Sequence, residues 1–130
     1  KSMDIIHVPA LPLNFEQKKI ILAEDTASHY GSGLLEVFAT PAMIAFMEKT
    51  CYEGIAHYLA PGYSSVGTKV HVEHLRAIRV GVKIHCEARL NTIDGKKLFF
   101  EVRVFDHQGI IGQGTHTRYI IDIEKFMLKL

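Results

Sequence analysis

Three polar residues of this chain stand where polar groups are either costly or well placed for chemistry: Thr40, Glu48 and His74. Glu48 falls in the middle of the most hydrophobic helical stretch of the sequence. On a helix its near neighbours lie three, four and seven residues away. Here they are Pro41, Ile44, Ala45, Cys51, Tyr52 and Ile55, and none carries a charge. A carboxylate in an apolar stripe costs several kcal/mol unless it is paired, hydrogen-bonded or protonated, against a total domain stability of about 5–15 kcal/mol. Glu48 is therefore expected to have a partner, and a partnered, desolvated acid is the kind of group active sites use. The plainer alternative is a side chain that points out through a gap in the packing. Glu53, with Lys49, Thr50 and His57 among its neighbours, reads as an ordinary surface acid.

His74 ends an alternating segment, Val66–Arg76, in which Val66, Thr68, Val70 and Val72 share its face while Lys69, His71 and Glu73 share the other. A lone inward His is usually a hydrogen-bonded core residue. An inward Glu in the same domain changes that balance, because each satisfies the other and the pair can take a proton from water near neutral pH. Thr40 precedes Pro41 at the start of the helical stretch, a threonine N-cap followed by proline in the first turn. The same helix start presents free N–H groups and the positive end of the dipole, both suited to a developing oxyanion. Pro41 removes one donor, so Ala42 N–H, Met43 N–H or the Thr40 hydroxyl would serve. Eight residues separate Thr40 from Glu48, roughly 12 Å along a helix axis. Both cannot touch one reacting carbonyl from the same helix, so a site using both is expected to be assembled across a dimer.

Weaker candidates surround these three. Eight histidines invite a metal reading, but His71 and His74 point to opposite faces and no His-Glu-x-x-His or similar ligand spacing occurs, so no metal is expected. Gly112 and Gly114 thin the last strand, either to admit a ligand or to allow a bend. Arg118 is of the type that meets a phosphate or carboxylate, with a solvated charge as its default. Cys51 has no His or helix N-terminus beside it in the helical pattern and is not favoured as a nucleophile.

The elements that must position these groups follow from pattern. A chain of 130 residues suits one domain spanning residues 1–130. Its 48% hydrophobic content is too high for a disordered chain. Fifteen basic against fourteen acidic side chains, with no Lys/Arg run, give no nucleic-acid surface. No apolar stretch reaches membrane-span length and the first residues lack a signal-peptide core, so a cytoplasmic protein without membrane contact is expected. Cys51 and Cys86 read as reduced core residues. A first strand is expected over 18–25, a loop over 28–33, and the long helix from Thr40 to about Leu59, stopped by Ala60-Pro61-Gly62. Strands are expected over 66–76, 80–92, 98–106 and 110–121, with Asp94-Gly95 and Gln108-Gly109 as turns and a short amphipathic tail over 123–130. A helix apolar around most of its girth needs cover on several sides. That implies an α+β fold in which a five-stranded antiparallel sheet wraps around one long central helix. The remaining sheet face and edge imply a homodimer, with a higher homo-oligomer as the alternative.

The ordered set Val37-Phe38-Ala39-Thr40, Met43, Met47-Glu48, Ser65-Val66-Gly67-Thr68, His74-Leu75 and Ile111-Gly112-x-Gly114-Thr115-His116-x-Arg118 resembles the hotdog-fold thioesterases of the fluoroacetyl-CoA thioesterase type, over roughly residues 37–126. The resemblance implies a hotdog fold, acyl-CoA as substrate, and a homodimer with its sites at the subunit interface; no cofactor is expected. It carries the family's catalytic threonine, glutamate and histidine onto Thr40, Glu48 and His74. The glycine near the substrate carbonyl falls on Gly67, and the arginine near the ligand on Arg118. One position departs: the family's phenylalanine gate before the helix corresponds to Leu34, with Gly31 and Gly33 close by. A more open loop and a short or medium acyl group, rather than fluoroacetate, are therefore expected. The expected reaction is hydrolysis of an acyl-CoA thioester to free acid and coenzyme A. The base would be His74, oriented by Glu48, with Thr40 as hydrogen-bond donor or nucleophile. The alternatives are a hotdog hydratase or dehydratase and a non-catalytic acyl-CoA binder.

Overall fold

The computed structural model describes residues 4–130. Its elements are strand β1 (Leu13–Ile20), a 3-10 turn (Ala23–Asp25), helix α1 (Ala27–Tyr30), helix α2 (Thr40–Ala56), strands β2 (Tyr63–His74), β3 (Lys83–Asp94), β4 (Lys97–Asp106) and β5 (Gly109–Asp122), and helix α3 (Ile123–Leu128). The strands form one antiparallel sheet in the order β1-β3-β4-β5-β2, which leaves β1 and β2 as its edges. One face of the sheet packs on α2, whose Met43, Met47, Cys51 and Ile55 are fully buried, against Cys86, Leu90, Phe100 and Val102 among the inward residues of β3 and β4. The helix-in-sheet arrangement expected from the sequence is the one observed.

The first strand lies at 13–20 rather than 18–25. Its inward positions are Leu13, Phe15, Gln17 and Lys19, so two of four are polar and the alternation is masked. Those two find partners on the inner side: Gln17 Nε2 donates to Glu53 Oε1 at 2.6 Å, and Lys19 Nζ lies 2.8 Å from Asp25 Oδ2. Glu53 is thus a half-buried acceptor tying α2 to β1, not a free surface acid. Ile21, which looked like strand interior, is fully buried just past the strand end. Gly54 is where β1 meets the helix, because any Cβ there would overlap the Phe15 ring. The expected loop at 28–33 begins with α1, capped by Thr26 Oγ1 accepting from His29 N and closed by Gly31 at φ 74°.

Strand β2 carries a bulge. Gly67 pairs with Arg118 but Lys69 pairs with Thr117, so Thr68 is an extra residue. The insertion changes the phase of the strand. Opposite the buried Arg118 and His116 of β5 stand Gly67 and Val70, and inward-facing residues switch from odd (Ser65, Gly67) to even (Val70, Val72, His74). The single face expected for Val66, Thr68, Val70, Val72 and His74 therefore holds only downstream of the bulge. Val70 is exposed on this edge strand, so the middle of β2 is left uncovered by the chain's own helix.

Candidate active site

Helix α2 begins one residue earlier than expected in functional terms: Ala39 is its N-cap and Thr40 its first residue, with Pro41 following. The Thr40 hydroxyl makes no capping bond and is free for another partner. That partner is His74 at the end of β2, whose Nδ1 lies 2.9 Å from Thr40 Oγ1. Strand β5 holds this end of β2 in place through Leu75 N donating to Ile111 O at 2.6 Å. One residue on, Arg76 clamps the β4–β5 turn through Asp106 Oδ1 at 2.5 Å and the Gly109 carbonyl at 3.1 Å. Phe38 meets the His74 ring edge-on at 5.9 Å. Burial pushes His74 below the ordinary imidazole value, with the Arg76 main chain acting in the opposite direction. Its Nε2 is buried without a hydrogen-bond partner among the described residues. A cavity of about 350 Å³ opens beside the pair, lined by Phe38, Thr40, Pro41, His74, Leu75 and Arg76. Leu34 precedes it on the loop and is 93% exposed.

Glu48 is elsewhere. Within the chain it is half-buried and its Oε2 lies 3.0 Å from where a Cβ of Gly67 would stand; His116 Cε1 is 3.0 Å and Arg118 Nη1 3.4 Å from the same point. No hydrogen bond or ion pair joins Glu48 to His74 among the described residues, which corrects the expectation that the two satisfy each other inside one domain. Seven residues of β2 separate His74 from Gly67, on the order of 20 Å of strand. The chain therefore carries two separate clusters along β2: Thr40 with His74 at its end, and Glu48 with Gly67 and Arg118 near its middle.

Arg118 is 7% exposed, so it is not the solvated charge that is the default for arginine. Its Nε donates to Ser65 Oγ at 2.7 Å, Nη2 to the Ser65 carbonyl at 2.8 Å, and Nη1 contacts His116 Nε2 at 3.1 Å. Its guanidinium lies 5.7 Å from the Tyr52 ring centroid. Burial draws its affinity for the proton down, with Cys51, Glu48 and Tyr52 opposing. His116 and Ser65 were not singled out as functional from sequence, although the alternation Gly112, Gly114, His116, Arg118 places His116 on the same inward face. Gly112 and Gly114 admit no ligand: a Cβ at the first would collide with Met43 Sδ, and at the second with the main chain of His71 and Val72. Cys51 and Cys86 are free and buried, and burial pushes Cys51 far up and Cys86 up to about 11, which leaves both as unreactive thiols. The one described trio with metal-ligand atoms within reach of one another is Glu16, His85 and Glu87, on the outer face, where Glu87 is already bonded by Arg103 at 3.2 Å.

Residues 21–124 match the family model described as fluoroacetyl-CoA-specific thioesterase (FlK). The chain belongs to this family. It is 40% identical over 95 residues to the fluoroacetyl-CoA thioesterase of Streptantibioticus cattleyicolor, a match covering 73% of this chain and 68% of that protein. The crystal structure of the fluoroacetyl-CoA thioesterase FlK superposes with a TM-score of 0.86 at 32% identity, covering 99% of this chain and 96% of the other. A variant of FlK solved with fluoroacetate and CoA gives 0.85 at 33% identity, over 90% of this chain and 98% of that one. A Thermus thermophilus thioesterase superfamily member, 22% identical with a TM-score of 0.83 over 91% of this chain and 88% of its own, shares the fold. The fold class is thus the hotdog fold of the fluoroacetyl-CoA-specific thioesterase family, with its sheet and central helix.

Proposed function

We propose that this protein hydrolyses acyl-CoA thioesters at a site built from two copies of the chain, Thr40 and His74 from one and Glu48, Gly67 and Arg118 from the other. The observation that carries the reading is the Thr40–His74 hydrogen bond on the wall of an open cavity, with the far ring nitrogen of His74 unpartnered. Glu48 is the complementary half: a carboxylate beside an uncovered strand edge, without a hydrogen bond of its own among the described residues. Pairing across β2 covers Val70, brings a carboxylate to His74 Nε2 and satisfies both groups at once.

Chemically, His74 takes the proton of the attacking oxygen as that oxygen adds to the thioester carbon. Collapse of the tetrahedral adduct breaks the C–S bond, and the imidazolium returns its proton to the departing coenzyme A sulfur. Glu48 steadies the transient positive charge on the ring. The attacking oxygen is that of water, with Thr40 hydrogen-bonding the reacting group, or that of Thr40, giving an acyl ester that water then cleaves. The exposed Leu34, in place of a bulky aromatic, leaves room for a short or medium acyl chain rather than selecting fluoroacetate. The two buried free cysteines fit a reducing cytoplasm, and no described helix is long and apolar enough to cross a membrane.

A panel of acyl-CoA esters with a free-thiol readout tests the activity. Thiol release identifies hydrolysis, whereas product with the thioester intact identifies a hydratase, and binding without turnover a sensor. Mixing Thr40→Ala with Glu48→Ala subunits is expected to restore one working site per dimer; mixtures as inactive as their parents would rule out the shared site. Thr40→Ala retaining most turnover would exclude the acyl-threonine route.

A further inference from the structure

His116 is 2% exposed and fully engaged, yet nothing in the reaction above uses it. Its Nδ1 lies 2.8 Å from the carbonyl oxygen of Lys69, and a carbonyl only accepts, so Nδ1 carries the proton. Its Nε2 lies 3.1 Å from Arg118 Nη1, and a guanidinium only donates, so Nε2 carries the lone pair. The two partners fix a neutral ring in one tautomer, and stacking on Phe100 with centroids 6.3 Å apart fixes its plane. The bulge at Thr68 is what offers the Lys69 carbonyl to this ring from the opposite strand.

Arg118 has five N–H groups, of which Ser65 takes two and His116 a third. Glu48 and Arg118 both close on Gly67, with Oε2 3.0 Å and Nη1 3.4 Å from the same point in space. Opposite charges so placed ordinarily collapse into a bidentate ion pair. No hydrogen bond or ion pair joins them among the described residues. The remaining ionisable groups facing them, Cys51 and Tyr52 of α2, supply no competing cation.

We propose that His116 is a positioning residue that holds the Arg118 guanidinium turned away from Glu48, keeping the carboxylate available to the imidazole of a second subunit. The inference rests on the shared-site reading above and assigns this residue a task within it. A protonated His116 would lose its acceptor and repel Arg118, so the neutral ring is essential to the task; burial, its main perturbation, holds its proton affinity down.

Three measurements on the full chain test it. Long-range ¹H–¹⁵N NMR of wild type is expected to show His116 neutral with its proton on Nδ1 at neutral pH; a proton on Nε2, or a charged ring, overturns the proposal. A crystal structure of His116→Phe, which keeps the stacking and removes the acceptor, is expected to show Arg118 rebonded to Glu48; an unmoved guanidinium overturns it. In thiol-release kinetics His116→Phe is expected to lose about tenfold or more in kcat with KM changed less than about threefold, and His116→Gln, which keeps an acceptor, to recover most of that loss. In a Glu48→Gln background the same Phe substitution is expected to cost less than about twofold. Equal losses in both backgrounds would mean a merely structural role. If wild type released no thiol from any acyl-CoA, the thioesterase reading would fail, and the tautomer and the rebonding in crystals would still decide the role of His116. Should His116→Phe not fold, His116→Gln and the wild-type tautomer decide it.

Discussion

Gly67→Ala perturbs the candidate site with a single methyl group whose surroundings are already known. The new Cβ would lie 3.0 Å from Glu48 Oε2, 3.0 Å from His116 Cε1 and 3.4 Å from Arg118 Nη1. Ordinary carbon contacts begin near 3.5–4.0 Å, so two contacts must open by about half an ångström. Glu48 can swing, because its carboxylate ends a flexible side chain with no hydrogen bond among the described residues. His116 cannot, because Lys69 and Phe100 hold its ring, so that contact opens only as the backbone of the edge strand eases outward. The side chain displaced is therefore Glu48, the group proposed to act on the histidine of the other subunit. A displacement of that size in a catalytic group costs about tenfold or more, or about 1.4 kcal/mol of transition-state stabilisation. Stability should change by less than about 1 kcal/mol, since Gly67 lies at an open strand edge and alanine suits a strand better than glycine. The assay is thiol release across substrate concentrations beside a urea melt of the same preparation. Full kcat/KM, within about twofold, in a well-folded variant would refute the placement of Glu48 and Gly67 in the site.

Two further outcomes concern the scaffold. Gly54→Ala forces a Cβ into the Phe15 ring and is expected to destabilise by about 1–3 kcal/mol despite the better helix propensity of alanine. Phe15→Leu added to it should recover part of that loss in denaturant midpoint, and an unchanged midpoint for Gly54→Ala alone would contradict the packing. His74 and His116 are both held below the ordinary imidazole value by burial, so the unfolded chain binds protons that the folded one refuses. Stability is fully present above about pH 6.5 and is lost as pH falls below it toward the folded-state values. Urea midpoints at about pH 7.5, 6 and 5 should fall in that order, with a shallower fall in His116→Gln, and a midpoint independent of pH would contradict both burials.

The long helix, the four later strands and their turns were readable because their patterns are regular: the near-continuous apolar run after Pro41, the alternation of β3, and Asp94-Gly95. Strand β1 was not, because Gln17 and Lys19 occupy inward positions and only tertiary partners, Glu53 and Asp25, make that affordable. Thr40 and His74 stand out in the sequence by position, and their side chains meet directly. Their relation to Glu48 was misjudged within the chain, because helical spacing gives the face of a residue but not which end of a neighbouring strand it reaches. His116 escaped notice as a working residue since a buried, hydrogen-bonded histidine leaves the same trace in a sequence as an inert one. What marks it is a carbonyl on one nitrogen and a guanidinium on the other, and neither contact is local.

Thr68 has a consequence for how this sequence tolerates change in length. Because it is the unpaired residue of β2, Ser65 and Gly67 upstream and His74 downstream look toward the same side although their numbers keep the same step of two only up to it. Deleting Thr68 itself would set Gly67 and Lys69 side by side opposite Arg118 and Thr117, a regular ladder in which every pair on either side survives. Deleting a paired residue between Lys69 and Glu73 instead would leave the strand a choice between two registers. In one, the seat of Arg118 survives and the imidazole is carried out of step; in the other, the imidazole stays and the guanidinium loses its serine. The bulge is thus the one place in the strand where a residue can be lost without dividing the protein's chemistry.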